Sequence, residues 1–324
     1  MSVAPALLAL SNVIVDVVTE CDGTVHPPMA GGAGLYAALA MACWWPRVGL
    51  VAGVGEDFAG IGGEVVGAYQ LAPEALIVRD PHCIRSELVY HPDGSGRTER
   101  PVYGPAHFAR MAVSPAQIPE HLLPARGIYV FQADALAFWE EVKALRADLG
   151  MLLWEIDCRL TRHGSPTDVA ALAAMSDIVS LNLDEAQDLL GHAAPRDLFG
   201  QLCTLIPQVT IVLRMGNRGA FVGNVESGAF HVQPPRHPVI DVTGGGNAFS
   251  GGFLAGLCNR PGDVVHAGRC AAAAAAIAIA QRGPPPVPPE PELLDQLYHA
   301  TTIRPIGSPD LPIILSKEPD VPVR

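Results

Sequence analysis

Between Gly127 and Leu213 the chain alternates short apolar, β-branched runs with segments of helical periodicity. The strand-like runs are Gly127–Phe131, Met151–Ile156, Ile178–Leu181 and Val209–Leu213; the helix-like ones are Ala135–Leu149, Thr167–Ala174 and Asp184–Leu190. Strands joined by helix-length crossovers pair in parallel, and such a sheet must be covered on both faces. That pattern predicts an α/β fold with a central, mostly parallel sheet. The 324 residues allow one large domain, or a domain with a small appendage. A hydrophobic fraction of 49% and a mean hydropathy of +0.26 supply the buried core it requires.

The flanking segments extend the pattern. Leu7–Val18 reads as one buried strand, with Asn12 and Asp16 near its end. Gly31–Cys43 reads as a helix of small residues, Arg47–Val54 as a strand and Ile61–Gln70 as a helix. Ile84–Tyr103 differs: two polar/apolar alternating runs flank Pro92-Asp93-Gly94-Ser95-Gly96, a hairpin signal. We read a small β-lid here, built from residues 17–30 and 84–103. Ala220–Val232 suggests antiparallel strands, and Ser250–Leu257 and Val264–Gln281 two helices, the second stopped by Gly283-Pro284-Pro285-Pro286. The expected organisation is one domain over 1–303 and a Pro-rich extension over 304–324. An exposed hairpin edge favours pairing with a second copy, so a homodimer is expected.

Charge and composition exclude several classes. The net charge is −12 and no basic patch is visible, which argues against nucleic-acid or anionic-membrane partners. The only lysines, Lys143 and Lys317, lie in neither a phosphate-binding Gly-x-x-x-x-Gly-Lys loop nor a Schiff-base context. Seven scattered cysteines form no Cys-x-x-Cys pair, so reduced thiols, no zinc site and a cytoplasmic location are expected. The N-terminus lacks a basic region before its apolar run, and Ala271–Ala280 is too short to span a bilayer.

The chemistry concentrates in Asp241-Val242-Thr243-Gly244-Gly245-Gly246-Asn247-Ala248-Phe249. Three glycines that enter a helix leave backbone N–H groups bare at the positive end of the helix dipole, which suits an anion. Four further patterns occur in order before it, besides Asp16 after the first strand. They are Gly31-Gly32-Ala33-Gly34-Leu35-Tyr36-Ala37-Ala38, Gly53-Val54-Gly55-Glu56-Asp57-Phe58-Ala59-Gly60, Asn182-Leu183-Asp184-Glu185 and Arg214-Met215-Gly216-Asn217-Arg218-Gly219-Ala220. Asn182 to Glu185 is also a helix-capping pattern, and both readings can hold together. Gly32, Gly34 and Ala37, with Glu56 downstream, would fit a dinucleotide fingerprint of a nicotinamide-dependent dehydrogenase. Pro27-Pro28 intervene between the first strand and these glycines, which counts against that reading.

Taken together, these motifs resemble the pfkB, or ribokinase-like, carbohydrate kinases, in a divergent branch with Gly-Gly-Gly-Asn in place of Gly-Ala-Gly-Asp. The resemblance implies a three-layer α/β/α fold with a β-lid, and ATP-dependent phosphoryl transfer to a hydroxyl of a sugar-like molecule. It implies ATP and Mg²⁺ as cofactors. Gly244, Gly245 and Gly246 would form the anion hole, and Asp16, Gly31, Gly32 and Tyr36 would line the acceptor site. Asn182, Arg214, Gly216, Gly219 and Thr243 would lie along ATP, and Glu185 would hold the metal through water. The departure is Asn247, which occupies the position of the family's aspartate base. A neutral amide takes no proton. Either another group such as Asp241 or His237 serves as base, or the protein binds its ligands without turnover.

Overall fold

The computed structural model describes residues 4–91, 97–132 and 135–306. In chain order its strands are β1 (Leu7–Leu10), β2 (Ile14–Thr19), β3 (Met29–Gly31), β4 (Val48–Gly55), β5 (Leu76–Asp80), β6 (Ile84–Tyr90), β7 (Arg97–Pro101), β8 (Gly127–Gln132), β9 (Met151–Ile156), β10 (Ile178–Asn182), β11 (Thr210–Arg214), β12 (Ala220–Asn224), β13 (Gly228–Gln233) and β14 (Thr302–Pro305). Ten of them form one sheet in the order β14-β13-β12-β11-β10-β9-β8-β1-β4-β5. From β11 to β5 every pairing is parallel, and β12, β13 and β14 continue the sheet antiparallel. The chain runs outward from β1 through β4 to β5, then returns to β8 on the other side of β1. Strand order therefore reverses between β1 and β8, and the crevice at the carboxyl ends there is where open α/β sheets bind ligands.

The period-2 alternation of each strand divides the core into two layers. Leu8, Leu10, Ile128, Val130, Leu152, Trp154, Val179 and Leu181 face the helices Leu136–Leu145, Pro166–Ala173, Leu183–Leu190 and Pro195–Leu205. On this side Trp139 meets Trp154 edge-on at 5.1 Å between centroids. Leu7, Ala9, Leu50, Ala52, Tyr129, Leu153 and Val212 face the helices Ala33–Ala42, Gly245–Asn259 and Val264–Ile279. The result is the three-layer α/β/α architecture expected.

Leu7–Val18 does not form one strand. It breaks at Ser11-Asn12-Val13: β1 belongs to the large sheet, and β2 starts a second sheet of order β3-β2-β6-β7. Hydropathy hides the break, because apolar residues occupy both sides of it. Asp16 consequently lies on β2, in the small sheet, rather than at a central strand's end. β6 and β7 pair antiparallel, from Ser86 opposite Pro101 to Tyr90 opposite Arg97. The turn residues Pro92–Gly96 lie outside the described residues. Strand β14 carries the large sheet through Pro305, so the sheet ends within the segment expected to be an extension; residues 307–324 lie outside the described residues.

Close approach of the three helices on the site side depends on glycine. A Cβ on Gly251 would lie 2.3 Å from the Ala37 carbonyl oxygen, and one on Gly256 2.6 Å from the Ala267 Cα. The helix Gly245–Asn259 is thereby pressed onto its neighbours, which fixes where its N-terminus projects. Alanine is the better helix former by about 1 kcal/mol. At position 251 the backbone clash outweighs that gain, because overpacking costs about 1–3 kcal/mol. Gly251→Ala should therefore lower the midpoint of urea unfolding; an unchanged or higher midpoint would show that this contact does not constrain the helix.

Candidate functional site

Five chain segments converge at the carboxyl edge of the sheet. Tyr129 comes from β8, Glu155 from β9, Asn182 ends β10, Arg214 ends β11, and Asn247 lies in the first turn of the glycine-led helix. Gly244 opens that helix as its N-cap at φ +76, a conformation glycine adopts without strain. No side chain caps the helix. The Gly245 amide donates to the Val242 carbonyl at 3.2 Å. The Gly246 and Asn247 amides have no protein acceptor among the described residues. Two bare N–H groups at the end of a long helix are what an anion site requires.

Beneath those amides lies a buried charged network. The Arg214 guanidinium abuts Gly246 so closely that a Cβ there would sit 2.1 Å from Nη1. Its Nη2 pairs with Glu155 Oε1 at 2.9 Å and lies 3.8 Å from Glu185 Oε2. Asn247 Nδ2 donates to the same Glu155 oxygen at 2.9 Å and to the Tyr129 hydroxyl at 3.2 Å. Tyr129 in turn donates to Glu155 Oε2 at 3.0 Å. Glu185 and Asn182 form a reciprocal capping box: the Asn182 amide donates to Glu185 Oε2 at 2.7 Å, and the Glu185 amide to Asn182 Oδ1 at 2.9 Å. Burial pushes the Glu185 carboxyl above its ordinary range, with Arg214 and the Asn182 amide opposing the shift. Burial and the charge of Glu155 hold the Tyr129 hydroxyl protonated. Burial also works against the charge of Arg214, yet Glu155 and Glu185 overcome it and raise its affinity for the proton.

A second group of expected residues gathers around Tyr36. The Tyr36 ring lies directly against Gly244, where a Cβ would come within 2.3 Å of it. Burial and the nearby charges of Asp241 and Asp16 raise the Tyr36 hydroxyl pKa, so Asp16, Tyr36 and Asp241 share one electrostatic neighbourhood. Gly31 fits against Asp16, with 2.9 Å between its would-be Cβ and Oδ2. Gly32 stands at φ +93 before the helix Ala33–Ala42. Two amides at that helix start are turned inward. Ala33 donates to Asn12 Oδ1 and Gly34 to the Asn12 carbonyl, both at 3.1 Å, so Asn12 consumes them.

The remaining expected residues lie outside the charged network. Asp241 accepts the Thr243 amide at 2.9 Å. Together with the Ile240 amide, its own amide donates to the Ile279 carbonyl, anchoring the loop before the glycines. Neither Asp241 nor His237 has a hydrogen bond into the Glu155 network among the described residues. Gly216 and Gly219 form a turn after β11 that is closed by Met215 N to Gly219 O at 2.7 Å. The sequence missed Glu155 and Tyr129. The readable signal was a charged residue inside the apolar run Met151–Ile156, a place where carboxylates are rare unless paired.

The profile of the pfkB family of carbohydrate kinases matches residues 125–290, just over half of the chain. The chain belongs to the pfkB family. Among curated family members, a cytidine kinase of Thermococcus kodakarensis is 28% identical over 77% of this chain and 87% of its own length. An aminoimidazole riboside kinase of Salmonella typhimurium is 33% identical over 36% of this chain and 37% of its own. Among solved structures, aminoimidazole riboside kinase from Salmonella enterica, complexed with aminoimidazole riboside and an ATP analogue, superposes with a TM-score of 0.70 at 23% identity, covering 90% of this chain and 99% of that one. A putative ribokinase II from E. coli gives 0.73 at 19% identity, over 91% and 99%. The glycines at 31–34 follow β3 of the small sheet, not a strand of the parallel sheet, so they do not make the dinucleotide-binding turn.

Among the described residues no group of three or more His, Cys, Asp or Glu side chains is arranged to hold a metal ion. One Glu185 oxygen is committed to the cap, and the neighbouring cation is Arg214. Glu185 Oε1 accepts no protein hydrogen bond among the described residues, so one carboxylate oxygen remains for a water-bridged contact.

The network gives a stability prediction. Removing one partner of a buried ion pair leaves the others uncompensated, a loss of about 3–5 kcal/mol. Arg214→Ala should lower stability on that scale. Glu185 has a raised folded pKa, so its contribution is full at acid pH and is lost as pH rises through the folded value. Arg214 limits that shift, so the variant should lose stability over a wider pH window than the wild type. Thermal unfolding from pH 4 to 8 checks this; parallel curves for the two proteins would contradict it.

Proposed function

We propose that this protein is an ATP-dependent kinase that transfers the γ-phosphoryl group to a hydroxyl of a sugar-like molecule, with ribosides as the leading acceptor class. The observation that carries the reading is the bare pair of amides at Gly246 and Asn247, set above a buried arginine at the carboxyl edge of the parallel sheet. The relatives named as cytidine and aminoimidazole riboside kinases support a riboside as acceptor.

When bound, ATP would bring the transferable phosphoryl group, and its Mg²⁺ would add positive charge beside Glu185. The protein's own part is positioning and electrostatics. The Gly246 and Asn247 amides hold negative charge that develops on the transferring group, with the charge of Arg214 behind them. Asp16, in the small sheet beside Gly31, orients the acceptor's hydroxyls. The small sheet shields the crevice from water, tied to the large sheet by Asp57, which caps the Cys83 amide and pairs with Arg85, each at 2.8 Å. The acceptor oxygen would bond to phosphorus as the bond to ADP breaks, with the hydroxyl proton passing to an oxygen of the transferred phosphoryl group. In a loose transition state the nucleophile needs little activation, so an amide at position 247 slows the reaction without abolishing it. Mg²⁺, a homodimer and a cytoplasmic location belong to the same proposal.

The alternative is a protein that binds nucleotide and riboside without turnover; Asn247 is the residue that favours it. ADP release with Mg²⁺-ATP against a panel of sugars and nucleosides separates the two, run on protein whose mass is read by light scattering. We expect acceptor-dependent ADP release from a dimer, with Asp16→Ala raising KM for the acceptor by about tenfold or more, the cost of losing a charged hydrogen bond. Saturable nucleotide binding without ADP release from any acceptor would overturn the kinase reading, and a monomer would overturn the dimer.

A further inference from the structure

The family position of the base holds an amide, yet the site does not lack a carboxylate. Glu155 Oε1 lies 2.9 Å from Asn247 Nδ2, on a side chain that is 3% exposed. Among the described residues three groups donate to that carboxylate: Asn247 and Arg214 to Oε1, Tyr129 to Oε2. This fixes the orientation of the Asn247 amide. An ionised carboxylate accepts only, and Tyr129 spends its one hydroxyl hydrogen on Glu155, so both groups require the NH₂ side of Asn247. The Asn247 Oδ1 must then point away from the network. It has no protein donor among the described residues, and the residue is only partly buried.

We propose that Glu155 is a positioning residue of the site. It holds Asn247 with its amide oxygen turned toward the acceptor hydroxyl, and it keeps Arg214 in place against Gly246. The inference rests on the kinase reading above and deepens it: residues 155 and 247 act as one carboxylate–amide pair. Asn247 contacts the acceptor; Glu155 acts through it. The hydrogen-bond acceptor that an aspartate oxygen would present is retained, while the carboxylate lies one layer deeper, on β9 and beside a cation.

The arrangement has a consequence for restoring the family residue. Asn247→Asp alone would place two carboxylates at hydrogen-bond distance. Like charges so close cannot both ionise freely, and one carboxyl of the pair takes a raised pKa. A raised folded pKa means stability that is present at acid pH and lost as pH rises through it. Glu155→Gln combined with Asn247→Asp exchanges the two groups and returns one charge to the pair. Arg214 stays near that charge, because its Nη2 and Asn247 Nδ2 both meet the same Glu155 oxygen.

The test uses the full chain and three variants: Glu155→Gln, Asn247→Asp and the double exchange. Thermal unfolding is followed from pH 4 to 8, alongside kcat and KM with Mg²⁺-ATP and whichever acceptor the panel identifies. We expect Asn247→Asp to lose stability with rising pH more steeply than the wild type, and the double exchange to run parallel to the wild type. Glu155→Gln should lower kcat by about 10–100-fold, the scale of a misplaced reacting group. The double exchange should recover most of that loss. If Glu155→Gln does not fold, Asn247→Asp and the double exchange still report the pair. Equal pH dependence in those two, or an unchanged kcat in Glu155→Gln, would overturn the assignment. The unfolding curves need no turnover, so the two readings fail separately. A wild type that phosphorylates nothing while the coupling persists overturns the kinase reading and the role toward an acceptor with it. Turnover without coupling overturns the Glu155 assignment alone.

Discussion

The buried contact between Arg214 and Glu155 is the interaction around which this site is organised. A guanidinium placed under a helix N-terminus repels the helix dipole, and it is costly to bury. Glu155 offsets that cost from β9, Glu185 adds a second negative charge from beyond β10, and the glycine at 246 leaves room for the approach. Buried ion pairs return little net stability. The effect here is positional: three strand ends and one helix start are held in register by charge.

The helix that carries the amides is placed by a different force. Its glycines at 251, 252 and 256 let it sit nearly backbone to backbone against its neighbours, and Phe253 and Leu254 fill the space down to the sheet. A buried hydroxyl pair, Ser180 on β10 with Ser250 at 2.9 Å, ties the same helix to the strand that leads into Asn182. Dispersion and close packing thus set the helix, and electrostatics uses the end that results. Tyr36 completes the arrangement from the other side. Its ring occupies the space beside Gly244 that any Cβ would fill, while its hydroxyl stays neutral between Asp16 and Asp241.

Much of this was legible in the sequence because it depends on local pattern. The alternation from Gly127 to Leu213 gave the parallel sheet, and Asn182 with Glu185 formed the capping box that their spacing implied. The three glycines opened a helix as such a run should. What stayed hidden depends on tertiary context. The break at Ser11-Asn12-Val13 sends β2 into a different sheet, and nothing in an apolar run says which sheet a strand joins. The helices Pro195–Leu205 and Pro291–Ala300 were missed although each begins with proline in its first turn, a readable start signal. Glu155 was missed because its role comes from partners on β11 and on the helix after Gly244, far along the chain.

The central claim is that the Gly244–Asn247 turn, backed by Arg214, is a phosphate-binding site. The most direct measurement is calorimetric titration of Mg²⁺-ATP into the wild type and into Gly246→Ala. The added methyl meets Arg214 Nη1 at 2.1 Å and must displace the guanidinium or the turn. The account predicts saturable binding by the wild type and a loss of about tenfold or more in affinity for the variant, about 1.4 kcal/mol. The variant must melt as cooperatively as the wild type for the comparison to count. Equal affinity in two folded proteins would contradict the account.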